Sequence, residues 1–136
     1  MLKSICYRSS LNKELSILET EHLFDVCKKN NDSLNLKGLL YKCDSCFFQI
    51  IEGPKAHIDA LYTKIKSDKR HKDIKVLLNQ PIKEFTFSNF TTGYSNVEEL
   101  DTIFGLQEYH FYMETLDLPL KEEFLEIMSN LFSVDL

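Results

Sequence analysis

The stretch "CFFQIIEGP", Cys46 to Pro54, constrains the fold more than any other part of the chain. From Cys46 to Ile51 every residue is apolar except Gln49. Side chains alternate along a strand, so Phe47, Gln49 and Ile51 share one face and Cys46, Phe48 and Ile50 share the other. A strand that is apolar on both faces has to be covered on both. Gln49 then poses a chemical question. Its amide offers donors and an acceptor, and each group left unpaired in the interior costs roughly 1–3 kcal/mol. The fold must bring it a polar partner.

The flanking segments supply the elements around that strand. Residues 2–9, "LKSICYRS", read as a first strand, and residues 35–42, "NLKGLLYK", as a second. "CDS" turns the second strand into Cys46–Glu52, forming a hairpin. Leu11 to Leu18 reads as a connection. Thr20 is the expected N-cap, with Glu21 in the first turn, of a helix running to about Asn30. Its apolar stripe is Leu23 and Cys27, with Phe24 and Val26 alongside. Pro54 opens a second helix, where its missing N–H does no harm, and that helix runs to about Asp68. Ile58, Leu61, Tyr62 and Ile65 form its apolar side. "IKVLLN", residues 74–79, is a fourth strand, Pro81 interrupts it, and Phe85 to about Thr92 is a fifth. The order β-α-β-β-α-β plus one strand predicts an α+β, ferredoxin-like antiparallel sheet with two helices on one face.

The chain changes character after about residue 95, which places a sheet domain at 1–95 and a helical extension at 96–136. After Pro119, "LKEEFLEIMSNLF" is amphipathic at helical spacing through Leu120, Phe124, Ile127 and Leu131. This C-terminal helix is the natural lid for the second face of the sheet. The alternative is an exposed helix that binds a partner.

Composition excludes several classes of function. The 136 residues fit one core. No apolar run reaches the roughly 18 residues that span a bilayer, and "MLKSICYRSS" reads as a strand rather than a signal peptide, so a cytoplasmic protein is expected. The formal net charge of −5 argues against nucleic-acid binding. The basic run from Lys66 to Lys75 alternates with acids and reads as a solvated helix end. Cys43 and Cys46 form one C-x-x-C, too few ligands for zinc. A redox pair of the thioredoxin type opens a helix, whereas this motif spans a turn, so the reading is a plain turn. Cys6 and Cys27 look like small core residues. His22, His57, His71 and His110 are scattered, and neither a nucleophile–base pair, a metal constellation nor a glycine-rich phosphate loop is evident, so no enzyme is expected.

Polar residues instead converge on one place. Ile5, Tyr7 and Ser9 share a face of the first strand, which neighbours the Gln49 strand in a ferredoxin-like sheet, so Tyr7 and Gln49 can lie side by side. Asn30 follows Leu23 and Cys27 on the core-facing stripe of the first helix, and Lys64 borders the stripe of the second. A phenol and two carboxamides between two helices suit a flat, neutral ligand with a polar edge.

Taken together, "ICYRSS", "CKKNNDSLNLKGLLY", "FFQIIEGP", "IKSDKRH" and "FTFSNF" resemble the BLUF family of flavin-using blue-light sensors, over roughly residues 2–94. The resemblance implies a flavin between the two helices, FAD first, with FMN and riboflavin as alternatives. It implies that Tyr7 is the photoactive tyrosine, that Gln49 is the switching glutamine and that Asn30 binds the ring edge. Asn31 and Lys64 are implied contacts. The resemblance also implies that Asp68, Arg70 and His71 fall in regions bordering the flavin or its ribityl chain, with a structural role, capping and tying the second helix to its neighbours, as the alternative. Light would move an electron from the tyrosine, with a proton following through the glutamine, and leave rewired hydrogen bonds and a slightly red-shifted flavin. The output would pass to an unknown signalling protein, and a homo-oligomer stays open.

The chain also departs from the family. It has no tryptophan, and Phe90 and Thr92 stand where many members carry a tryptophan and a methionine tied to signal output. Lys37 replaces a frequent threonine, and Lys64 replaces a common arginine, keeping the charge and losing the planar fork. These departures motivate a second expectation, a BLUF-like interaction module that has lost flavin or senses another cue.

Overall fold

A computed structural model of the protein describes residues 1–42 and 45–93, together with the helical positions Gln107, Glu108, His110, Phe111, Glu114, Glu122 and Glu126. The elements are β1 (Leu2–Leu11), α1 (Ile17–Ser33), β2 (Lys37–Lys42), β3 (Cys46–Pro54), α2 (Lys55–Ser67), β4 (His71–Ile82) and β5 (Phe90–Gly93). They form one sheet in the order β4-β1-β3-β2-β5. The fold is α+β and ferredoxin-like with an added strand, as the element order requires. The expected lid on the far face falls outside the described residues, apart from those seven helical positions.

Four local expectations are corrected. α1 starts at Ile17, not after Thr20, because Ser16 and Glu19 form a reciprocal capping box that satisfies the first free backbone donors. Thr20 lies inside the helix, with its hydroxyl donating to the Ser16 carbonyl. The helix also passes Asn30 and ends at Ser33, after which Asn35 takes a left-handed φ of 56°. β4 runs through Pro81 to Ile82. A proline is tolerated there because β4 is at the sheet edge. β5 is shorter than expected and pairs parallel to β2, which makes the sheet mixed rather than antiparallel.

β3 is central, antiparallel to β1 on one side and to β2 on the other, and every residue from Phe47 to Gly53 is buried. The both-faces reading of this strand therefore holds. On the helix side the core divides in two. Ile5, Tyr7, Leu36, Ile51 and Ile58 pack with Leu61, Tyr62 and Ile65 of α2. Leu23, Phe24, Leu40, Phe47 and Phe90 pack with Leu11, Leu15 and Cys27 around α1. The fully buried Ile58 alone contributes about 1.5–3 kcal/mol by leaving water. On the other face Cys6, Leu39, Phe48 and Ile50 are fully buried.

The register of β2 against β3 depends on Gly38. Its φ of 135° is disfavoured for any side chain, and a Cβ there would collide with the carbonyl oxygen of Ile50.

Candidate functional site

The seam between the two core clusters is a partly open cavity of about 110 Å³. Leu23, Cys27, Asn30 and Asn31 of α1 line one side, and Leu61 and Ile65 of α2 line the other. Tyr7, Leu40, Phe47 and Gln49 form the sheet floor, and Asp68, Arg70 and His71 close the end beyond α2.

Tyr7 and Gln49 are directly opposed in the β1–β3 ladder. They are 3% and 4% exposed, and the Tyr7 hydroxyl donates to Gln49 Oε1. The alternation of two neighbouring strands is enough to put both side chains on the helix face. Burial pushes the phenol well above its ordinary pKa, helped by Cys27 and Asp68 nearby, so Tyr7 is neutral. With Oε1 engaged by Tyr7, the N–H groups of Gln49 remain for the cavity that it lines.

Asn30 and Asn31 both line the cavity but in different settings. Asn31 is 3% exposed, whereas Asn30 is exposed at the rim. Lys64, exposed in the last turn of α2, is not among the lining residues. Asp68 accepts from the Arg70 backbone N–H at 2.9 Å and from Arg70 Nη2 at 2.5 Å, and these bonds hold its carboxyl below the usual carboxylate range. The pair forms a short turn at the end of α2, beside the cavity.

His71 has its two ring nitrogens engaged. Nε2 donates to the Ile65 carbonyl at 2.6 Å, and Nδ1 accepts from the Ser9 hydroxyl at 2.7 Å. The ring stands edge-on to Tyr7 at 6.3 Å and to Phe47 at 6.2 Å. It therefore ties the last turn of α2 to β1 while forming part of the cavity wall. Ser9 was legible only as a face-mate of Tyr7; its partner begins a strand far along the chain.

Sequence reasoning missed two further features. Cys27, read as core, is half-buried in the cavity wall, and burial pushes its thiol pKa up. Glu52, noted only within a motif, is fully buried and accepts from the backbone N–H of Thr86 at 2.8 Å and of Phe87 at 3.1 Å. Phe90 is buried in the α1 cluster, and neither it nor Thr92 lines the cavity. Cys46 is disulfide-bonded, and Cys43 lies outside the described residues. Among the described residues no cluster of metal-ligating groups occurs, and no helix is long and apolar enough to cross a membrane.

Similarity to known proteins places the chain in a family. A family model described as BLUF, sensors of blue-light using FAD, matches residues 2–93. A photoactivated adenylate cyclase subunit alpha of Euglena gracilis is 32% identical over 99 residues, covering 73% of this chain and 10% of its own length. The chain thus spans about a tenth of that curated relative. The structure of a bacterial light-regulated adenylyl cyclase superposes with a TM-score of 0.67 at 31% identity, covering 85% of this chain and 35% of that one. The dark-state structure of BlrB, a BLUF protein, superposes with a TM-score of 0.66 over 91% of both chains; at 22% identity it speaks to the fold alone. By residues 2–93, the chain belongs to the BLUF family of blue-light sensors using FAD.

Proposed function

We propose that this chain is a blue-light photoreceptor that binds flavin between α1 and α2 and switches through the Tyr7–Gln49 pair. The observation that carries this reading is the buried hydrogen bond from Tyr7 to Gln49, with the free side of the Gln49 amide on the cavity.

The lining fits a flavin ring in kind. Leu23, Leu40, Phe47, Leu61 and Ile65 offer apolar walls to a planar system, while Asn30, Asn31 and Gln49 offer neutral donors and acceptors to its polar edge. The cavity is partly open and its 110 Å³ is below the roughly 300–1,000 Å³ of drug-sized pockets, so a bound flavin would extend beyond it or part the two helices. The Asp68–Arg70 turn at the end of the cavity, with Lys64 on the last turn of α2 outside the lining, would hold the ribityl chain.

When bound, flavin supplies blue-light absorption and an excited state that accepts an electron. The chain supplies the rest. Tyr7 is the neutral phenol, and on losing an electron it must also lose its proton. Among the described residues the acceptor in place is Gln49 Oε1. The return of electron and proton restores Tyr7, and Gln49 can come back rotated or as a tautomer. Rotation exchanges the carbonyl and the N–H groups of the amide, so the hydrogen bonds offered to the cavity are exchanged with no covalent product. That is the chemistry of a switch rather than of turnover.

The output is proposed to pass by protein contact to a signalling partner in the cytoplasm, with residues 1–95 as sensor and 96–136 as extension. The test is an absorption spectrum of the purified chain before and after blue light. A yellow protein with a reversible red shift supports the reading. Chromatography of the released cofactor then separates FAD from FMN and riboflavin. Protein that stays colourless after refolding with flavin refutes it and favours an interaction module sensing another cue, the reading that Phe90 and Thr92 motivate.

A further inference from the structure

β5 does not reach the cavity. Thr92 pairs with Leu40, and Leu40 pairs with Gln49, so a leucine stands between the switching amide and the last strand. β5 has only four residues and bonds along one edge, to β2. A rotated Gln49 amide thus has no direct hydrogen bond to hand to this strand.

Two ionisable side chains span that distance instead, one on α1 and one on β3, two of the elements that form the cavity. From α1, Lys28 Nζ donates to the Phe90 carbonyl at 3.0 Å, one residue after Cys27 in the cavity wall. From β3, Glu52 reaches the loop that leads into β5, where its Oε1 accepts from two successive backbone N–H groups, those of Thr86 and Phe87. Glu52 is three residues along β3 from Gln49 and on the opposite face by alternation. The strand between them is paired in unbroken register on both sides. Among the described residues, Glu52 Oε2 is the buried side-chain oxygen without a hydrogen-bond partner. The carboxylate therefore has nothing to exchange for the two loop amides, and releasing them would strand a buried acidic group. A shift of β3 then carries the loop with it.

We propose that Glu52 is the positioning residue of the output, a tether through which rearrangement at Tyr7–Gln49 moves the β4–β5 loop and β5. This rests on the photoreceptor reading above. It assigns the route out of the site to β3 and a carboxylate on the far face of the sheet, in place of hydrogen-bonding side chains on β5.

The experiment is residue-resolved amide hydrogen exchange on the full chain reconstituted with FAD, in the dark and under blue light, with the absorption spectrum recorded on the same sample. In the unaltered chain, light should change exchange at Thr86, Phe87 and Phe90–Gly93. Glu52→Ala should keep the red shift, raise dark exchange at Thr86 and Phe87 by about 10- to 100-fold, and abolish the light–dark difference at β5. Glu52→Gln keeps an acceptor without the charge and should reduce that difference; it serves if the alanine variant fails to fold. A red shift without any change at Thr86 and Phe87, or a β5 response that persists undiminished in the variants, overturns the tether and leaves the photoreceptor standing. Absence of the red shift in the unaltered chain overturns both, and the spectrum tells the two failures apart.

Discussion

Replacing Tyr7 with phenylalanine removes one oxygen from the centre of the site. Ring packing against His71 and the Ile5–Ile51–Ile58 cluster is retained. What is lost is the donor to Gln49 Oε1. Gln49 is 4% exposed, so its carbonyl has little access to water. An acceptor left unpaired in such a place costs about 1–3 kcal/mol. For a domain of this size each kcal/mol moves the melting temperature by roughly 3–5 °C, so Tyr7→Phe should melt roughly 3–15 °C lower than the unaltered chain. The apolar cavity walls are unchanged, so the protein should still bind flavin and be yellow. The red shift under blue light should vanish, because phenylalanine has neither the oxidisable hydroxyl nor the proton. Paired thermal melts and light–dark difference spectra on the flavin-loaded chain measure both effects. A variant that still photocycles would refute Tyr7 as the donor. A variant that melts where the unaltered chain does would show that Gln49 has another donor and that the buried pair is not what satisfies it.

Three more outcomes are expected. Gly38→Ala should abolish cooperative folding, since φ of 135° and the Ile50 carbonyl both oppose a side chain; a normal urea midpoint would contradict the β2–β3 register. Ser9→Ala should lower stability by about 1–3 kcal/mol by leaving His71 Nδ1 without its donor, read as a drop in urea midpoint, and an unmoved midpoint would mean that Ser9 does not hold the ring. Burial raises the Glu52 carboxyl above its ordinary 4.5, against partial opposition from Thr86 and Phe87. Its contribution to stability is full below 4.5 and is lost as pH rises through the folded value. The stability of Glu52→Gln relative to the unaltered chain should therefore improve from pH 4 to pH 8 in urea titrations, and a difference that stays flat across that range would show that Glu52 keeps its ordinary pKa.

The residues differ in how early they could be read. The Tyr7–Gln49 face-sharing followed from a period of two in each strand, and the element order placed the strands side by side. The capping box at Ser16–Glu19 is a local signature in the sequence, but Thr20 offers a second plausible cap four residues on, and only the folded helix separates the two. The parallel pairing of β5, the Ser9–His71 bond and the Glu52 contact to Thr86 and Phe87 had no local signal, because each joins segments far apart in sequence. Asn30 and Asn31 are adjacent and chemically alike. That α1 buries the second and leaves the first at the rim depends on where the helix starts and how it rolls on the sheet.

The order of elements, the doubly covered central strand and the amide set among its apolar residues were determined by the chain alone. They rest on side-chain periodicity and turn chemistry, which act over a few residues. Which groups meet Gln49 and Glu52, and which way the signal can leave, was decided only in the folded molecule. Strand register and helix packing bring distant segments together, and a buried polar group accepts whatever partner that assembly places within reach.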